Sequence, residues 1–98
     1  MGYEIPAGWG AAMADENRTP IVIIGDGTYM MMNSDIYSTV LSGHKIIVIV
    51  PDNGGYAIIN RLQNYKGGAS FNNLIKDSRV KAPFSVDFAK HAEAMGAY

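Results

Sequence analysis

Ile21-Val22-Ile23-Ile24-Gly25-Asp26-Gly27-Thr28 sets a short, wholly apolar, β-branched run directly against two glycines and an aspartate. Branched side chains stiffen an extended backbone, and a run without polar alternation fits a strand buried on both faces. Gly25 and Gly27 then let the chain turn tightly and bring bare backbone close to a ligand. Downstream, Tyr29 to Leu41 follows helical spacing, with Met32, Ile36, Thr39 and Val40 on one side and Asn33, Ser34 and Asp35 on the other, closing at Ser42-Gly43. Lys45 to Val50 is a second buried-strand run, stopped by Pro51-Asp52-Asn53-Gly54-Gly55. Strand, glycine loop, helix and strand within about 30 residues is the grammar of a right-handed βαβ unit with parallel strands. Both loops then fall at the carboxyl edge of one sheet, where open α/β sheets bind their ligands.

Working outward, residues 4 to 17 read as a helix that stops at Asn17-Arg18-Thr19-Pro20. Tyr56 to Asn64 reads as a short helix, Tyr65 to Pro83 as an irregular polar connection, and Val86 to Met95 as a last helix. The expected fold is α/β, a partial Rossmann-like parallel sheet flanked by helices, with residues 1–98 as a single partial domain. Two strands do not complete a doubly wound sheet, so the chain reads as a fragment of something larger.

Of the 98 residues, 48% are apolar and 17% charged, the balance of a chain that builds a core. A net charge of −1 with scattered acids and bases gives no footprint for nucleic acid or an anionic membrane. Ile21–Ile24 and Ile46–Val50 are the longest apolar runs, far short of the roughly 20 residues of a membrane span. With no cysteine, disulfides and thiolate metal sites are excluded, and a soluble, cytoplasmic protein is expected.

The two loops carry the chemistry. A glycine turn feeding a helix aims free amides and a positive dipole end at an anion. Asp26 at one strand tip offers a hard oxygen, and Asn53 at the tip of the adjacent strand offers a neutral one beside it. Magnesium accepts few protein oxygens and takes phosphate and water for the rest. A rival reading takes Gly25-x-Gly27 as the start of a dinucleotide fingerprint, with Asp52 on a ribose hydroxyl. Met30 stands where that fingerprint wants glycine or alanine, and Asn53 is left without a role.

Gly25-Asp26-Gly27 followed by Asp52-Asn53, with 27 positions from Asp26 to Asn53, resembles the cofactor signature of thiamine diphosphate enzymes. The resemblance implies thiamine diphosphate and Mg2+ as cofactors, with Asp26, Asn53 and the Gly55 carbonyl as metal ligands and Gly25, Gly27 and Thr28 beside the diphosphate. Met1-Gly2-Tyr3-Glu4-Ile5-Pro6-Ala7 is similar to the stretch preceding that signature in acetolactate synthase relatives, where a methionine-glycine pair lies near the cofactor ring. Ile59-Asn60-Arg61-Leu62-Gln63 and Gly67-Gly68-Ala69-Ser70-Phe71-Asn72-Asn73-Leu74 resemble one branch, the trihydroxycyclohexanedione hydrolases of myo-inositol breakdown. That branch implies cleavage of a carbon–carbon bond in a cyclic diketone, a small-molecule substrate. The family's pyrimidine-binding domain and activating glutamate are absent from these residues. No catalytic side chain is therefore assigned, and the implied partners are the remainder of such an enzyme or another copy of the chain. The alternative in another class is a non-catalytic, self-associating module; the lesser one is the dinucleotide-binding βαβ unit.

The remaining polar and aromatic residues take plainer roles. His44 reads as a surface or capping residue, His91 as solvated, Trp9 as packing and Asp52 as a loop-shaping residue. Asn60, Arg61 and Asn72 read as polar loop residues, and Met30, Met31 and Met32 as gap-filling core or interface.

Overall fold

In the computed structural model, which describes residues 1–82 and 84–98, the two β-branched runs form strands β1 (Ile21–Ile23) and β2 (Ile47–Ile49). They pair in parallel, Val22 opposite Val48, as a two-stranded sheet. Bonds from Ile47 N to Pro20 O (2.9 Å) and from Ile24 N to Ile49 O (3.0 Å) carry the ladder slightly past both ends. The chain is α/β, as expected, and both loops leave the same sheet edge.

Helix α1 (Glu4–Ala14) stops three residues before Asn17. Asp15 ends it: its carboxylate accepts the Asn17 amide at 3.1 Å and meets Arg18 at 3.2 Å, a local alternative to continuing the helix. The single helix read over Tyr29 to Leu41 is two, α2 (Asp26–Met31) and α3 (Asp35–Leu41). Helix α2 starts earlier because Gly25 enters in an extended conformation as its cap, and Met32-Asn33-Ser34 breaks the path, polar residues favouring a new helix start. Helix α4 (Ala57–Tyr65) follows the second loop. The connection beyond it is not featureless: a 3-10 turn (Ile75–Asp77) and a bridge between Gly55 and Leu74 lie within it. Its expected end, Pro83, lies outside the described residues. Helix α5 (Phe88–Glu93) begins two residues after Val86 because Asp87 caps it, accepting the Lys90 amide at 3.0 Å. That backbone bond, with the Lys90 side chain, holds the Asp87 carboxyl below the usual carboxylate range.

The core is Ile5, Val22, Ile24, Tyr29 and Ile36, with Ile46, Val48, Val50, Phe88, Ala92 and Met95 packed against it. Residues paired across the ladder share a face, so Val22 and Val48 look into this core while Ile21, Ile23, Ile47 and Ile49 look the other way. Those four are 45–67% exposed, so the strands are covered on one face and not on both. The radius of gyration, 15.4 Å, accordingly exceeds the about 13 Å of a compact chain this long. Among the described residues no helix is long and apolar enough to cross a membrane.

Helix α1 approaches β1 through Gly8, where an added Cβ would run into Val22 Cγ2. Val22 is β-branched and fixed in the ladder, so it cannot step aside. Gly8→Ala gains up to about 1 kcal/mol in helix propensity but overpacks a site where that costs about 1–3 kcal/mol. The expected net is a loss on the order of 1 kcal/mol, read as a melting midpoint lower by roughly 4–8 °C. A raised midpoint would show that α1 is free to slide over the strand.

Candidate functional site

The first loop is built by Gly25 and Asp26. Gly25 has φ −62° and ψ 151°, and a Cβ there would point into open space, with no atom within 4 Å. Asp26, the first residue of α2, turns inward and is 4% exposed. Its Oδ2 accepts the Gly55 amide at 2.6 Å, joining the first loop to the second.

The second loop is shaped by Asp52, as expected: its carboxylate accepts the Gly54 amide at 2.9 Å and so is already engaged. Gly54 and Gly55 follow at φ 84° and 131°, values that favour glycine. Tyr56 N donates to Asn73 O (2.7 Å) and Ile75 N to Gly54 O (2.9 Å), stapling the loop to the 73–75 segment. Gly27 lies under this loop; a Cβ there would sit 2.8 Å from Gly55 O and 2.9 Å from the Tyr56 ring. The two glycines of the signature therefore differ. Gly25 leaves backbone open to a ligand, while Gly27 permits the two loops to touch.

Asn53 closes the cluster. One terminal atom of its amide lies 3.1 Å from both Asp26 Oδ1 and Gly55 O. With the NH2 group there, Asn53 donates to both; with the carbonyl oxygen there, it faces only acceptors. Asp26, Asn53 and Gly55 are thus brought together, and Gly25, Gly27 and Thr28 flank them along the first loop and α2. Thr28 is half-buried and its hydroxyl has no hydrogen bond among the described residues. Helix α2 has six residues, so it offers a shorter dipole than the helix read from the sequence.

Electrostatics set the cluster apart. The ion pairs among the described residues are Arg18–Asp15 and Lys90–Asp87; none reaches Asp26. A buried carboxylate without a positive partner is costly, and hydrogen bonds from the Gly55 and Asn53 amides offset only part of that cost. Among the described residues no group of three or more His, Cys, Asp or Glu side chains converges. The donor set is instead one carboxylate, one amide and one backbone carbonyl, oxygen chemistry suited to a hard cation. Beside it lies a cavity of about 220 Å³ that Asp26, Gly27, Gly55, Met30, Tyr56 and Phe88 help to line.

Several residues depart from their expected roles. His91 is not solvated: it is half-buried, with Nδ1 2.9 Å from the hydroxyl of Tyr29, whose pKa burial raises. Asn60 lies on α4 rather than in a loop, and its buried Oδ1 has no partner among the described residues. Met30, Met31 and Met32 are exposed, so of the two roles expected for them, core or interface, they do not fill the core. His44 does sit at the end of α3, 2.9 Å from Ser42 Oγ, and Trp9 donates to the same oxygen at 2.9 Å. Arg61 is exposed, and Asn72 takes a turn conformation at φ 50°. The pairing of His91 with a residue 62 positions away leaves no periodic signal in the sequence.

The family model described as "Thiamine pyrophosphate enzyme, C-terminal TPP binding domain" matches residues 1–98. A 3D-(3,5/4)-trihydroxycyclohexane-1,2-dione hydrolase of Listeria monocytogenes is 40% identical over 98 residues, covering 99% of this chain and 15% of that protein. Proteins of the same name from Clostridium botulinum and Clostridium tetani are 36% and 33% identical, each alignment covering 98% of this chain and 16% of the relative. The chain thus spans about one sixth of the length of the curated relatives it matches. With the loop pair at the carboxyl edge of its parallel strands, the chain belongs to the C-terminal thiamine pyrophosphate-binding domain family of thiamine pyrophosphate enzymes, a membership that implies thiamine diphosphate as its cofactor.

Proposed function

We propose that residues 1–98 form a partial diphosphate-binding domain that holds thiamine diphosphate through magnesium, with Asp26, the Asn53 side chain and the Gly55 carbonyl as the protein's metal ligands. The observation that carries this reading is the Asn53 amide, 3.1 Å from both Asp26 Oδ1 and Gly55 O. Neighbouring ligands in a magnesium octahedron, each about 2.1 Å from the ion, are about 3.0 Å apart. With its oxygen turned inward, Asn53 is at that spacing from two further oxygens. The cation would also compensate the buried Asp26 charge. Open backbone at Gly25, the close-packed Gly27 and the Thr28 hydroxyl leave room for the diphosphate beside the ion. When bound, thiamine diphosphate supplies the carbon nucleophile; the residues of this chain bind and orient it.

The names of the relatives support a role, in a longer protein, in hydrolysis of a cyclic trihydroxy diketone, and the resemblance of the 59–63 and 67–74 stretches points to inositol breakdown as its setting. That activity needs the glutamate-bearing domain, so the partners are the remainder of the enzyme or another copy of the chain. The setting proposed is the cytoplasm, the reducing compartment that a chain without cysteine permits. A dinucleotide site is disfavoured because Met30 stands at the third fingerprint position and Asn53 would have no role in it.

Calorimetric titration of thiamine diphosphate into the purified chain is expected to give binding with magnesium and none with EDTA. Gly25→Ala keeps an ordinary φ and meets no protein atom, so its melting midpoint should stay put. Its methyl group enters the ligand's space, and affinity should fall roughly tenfold, about 1.4 kcal/mol. Magnesium-independent binding would remove the metal from the reading, and full affinity in Gly25→Ala would move the diphosphate away from the first loop.

A further inference from the structure

Helix α2 carries Asp26 but has little to hold it in place. Six residues are too few for a helix to be stable by itself. Met30 and Met31 are exposed, and its buried residues are Asp26, Gly27 and Tyr29. Gly27 fixes the closeness of α2 to the second loop, but with no side chain it cannot fix rotation about the helix axis. That falls to Tyr29, the only large side chain α2 buries, at 1% exposure. Asp26 and Tyr29 are about 60° apart around the helix and about 4.5 Å apart along it, so a turn of the Tyr29 ring carries the Asp26 carboxylate with it.

The Tyr29 ring is gripped from α5. Phe88 meets it edge-on with centroids 5.2 Å apart, and His91 does so at 5.7 Å. The hydroxyl ends 2.9 Å from His91 Nδ1, the one directional contact in the cluster. Asp87 in turn fixes the start of α5. We propose that His91 is a positioning residue for the cofactor loop: its hydrogen bond to Tyr29 sets the rotation of α2 and thereby holds the Asp26 carboxylate against Gly55 and Asn53. The functional consequence rests on the metal-site reading above; the positioning itself does not.

The two are separated by two readouts on the purified chain. The Gly55 amide, which donates to Asp26 Oδ2 at 2.6 Å, reports the position of the carboxylate through its proton chemical shift, without any ligand. Magnesium-dependent thiamine diphosphate affinity reports the function. His91→Phe keeps an aromatic ring against Tyr29 and loses the hydrogen bond; His91→Asn loses the ring and places an amide near the position of Nδ1. Tyr29→Phe removes the hydroxyl alone. The expected result is an upfield move of the Gly55 amide proton in His91→Phe and Tyr29→Phe and a near-normal shift in His91→Asn. Affinity should fall about fivefold to tenfold in the first two and recover to within about twofold in His91→Asn, with the double variant His91→Phe/Tyr29→Phe no weaker than either single one. A Gly55 shift unchanged in His91→Phe and Tyr29→Phe would overturn the proposal, as would full retention by His91→Phe with loss in His91→Asn, which would make the contact packing alone. If the wild-type chain binds no cofactor while the Gly55 shift follows the hydrogen bond, the metal-site reading fails and the positioning stands.

Discussion

Asp26→Asn is expected to abolish magnesium-dependent binding of thiamine diphosphate while leaving the free chain as stable as the original. The side chain keeps its shape and an oxygen for the Gly55 amide; it gives up the hydrogen bond from the Asn53 amide to Oδ1, but it sheds a buried charge that no cation among the described residues compensates, and the two changes offset. What it loses is the only anionic ligand of the proposed set. In the original chain, ligand at about 100 times its dissociation constant adds about 2.7 kcal/mol. For a domain of this size that raises the melting midpoint on the order of 10–20 °C. The variant should show no such rise with magnesium and cofactor together, and a midpoint without ligand equal to or slightly above the original. A ligand-induced rise that survives in Asp26→Asn would take Asp26 out of the site.

Gly55→Ala should be the most damaging single methyl group in the chain. Two costs coincide there: φ is 131°, and the new Cβ would collide with Asn73 O, a backbone atom held by the Tyr56 amide. Together they are expected to cost about 2–4 kcal/mol. Gly54→Ala, at φ 84° with open space around its Cβ, carries conformational strain alone and should cost about 1–2 kcal/mol. Chemical denaturation of both variants checks the ranking. Equal losses would mean that the 73–75 segment yields to the methyl group and does not brace the loop.

The strands and loops were legible because their signals are local. Four β-branched residues before Gly25-Asp26-Gly27 and a second such run before Asp52-Asn53 fix two strand tips, and parallel pairing puts Asp26 and Asn53 at one edge. The break at Met32-Asn33-Ser34 was not legible, since three consecutive methionines keep an apolar stripe running through it and only Asn33 and Ser34 hint at a new start. The ends of α1 and α5 turned on single carboxylates, Asp15 and Asp87, whose backbone bonds outweigh a residue or two of propensity. Contacts across long separations left no trace at all: the grip of His91 on Tyr29 and the bracing of Gly55 by Leu74 exist only once the chain is folded. The bare face of isoleucines was hidden for another reason. A uniformly apolar strand says that both faces avoid water, but not that this stretch of chain covers them both.

Asn53 gives the metal-free loop a way to keep its shape. Three oxygens drawn together without a cation would repel, and an empty cradle of that kind relaxes open and must be paid for again on loading. A carboxamide avoids this by a half-turn about its last bond: one way round it presents hydrogens to Asp26 and Gly55, the other way an oxygen to the ion. If the proposed ligand set holds, its own NH2 is a tethered placeholder for magnesium. On the proposed reading, loading the site exchanges two weak hydrogen bonds for one ligand bond with little movement of the backbone. An aspartate in its place would have no hydrogens to lend, and the vacant loop would hold two facing negative charges.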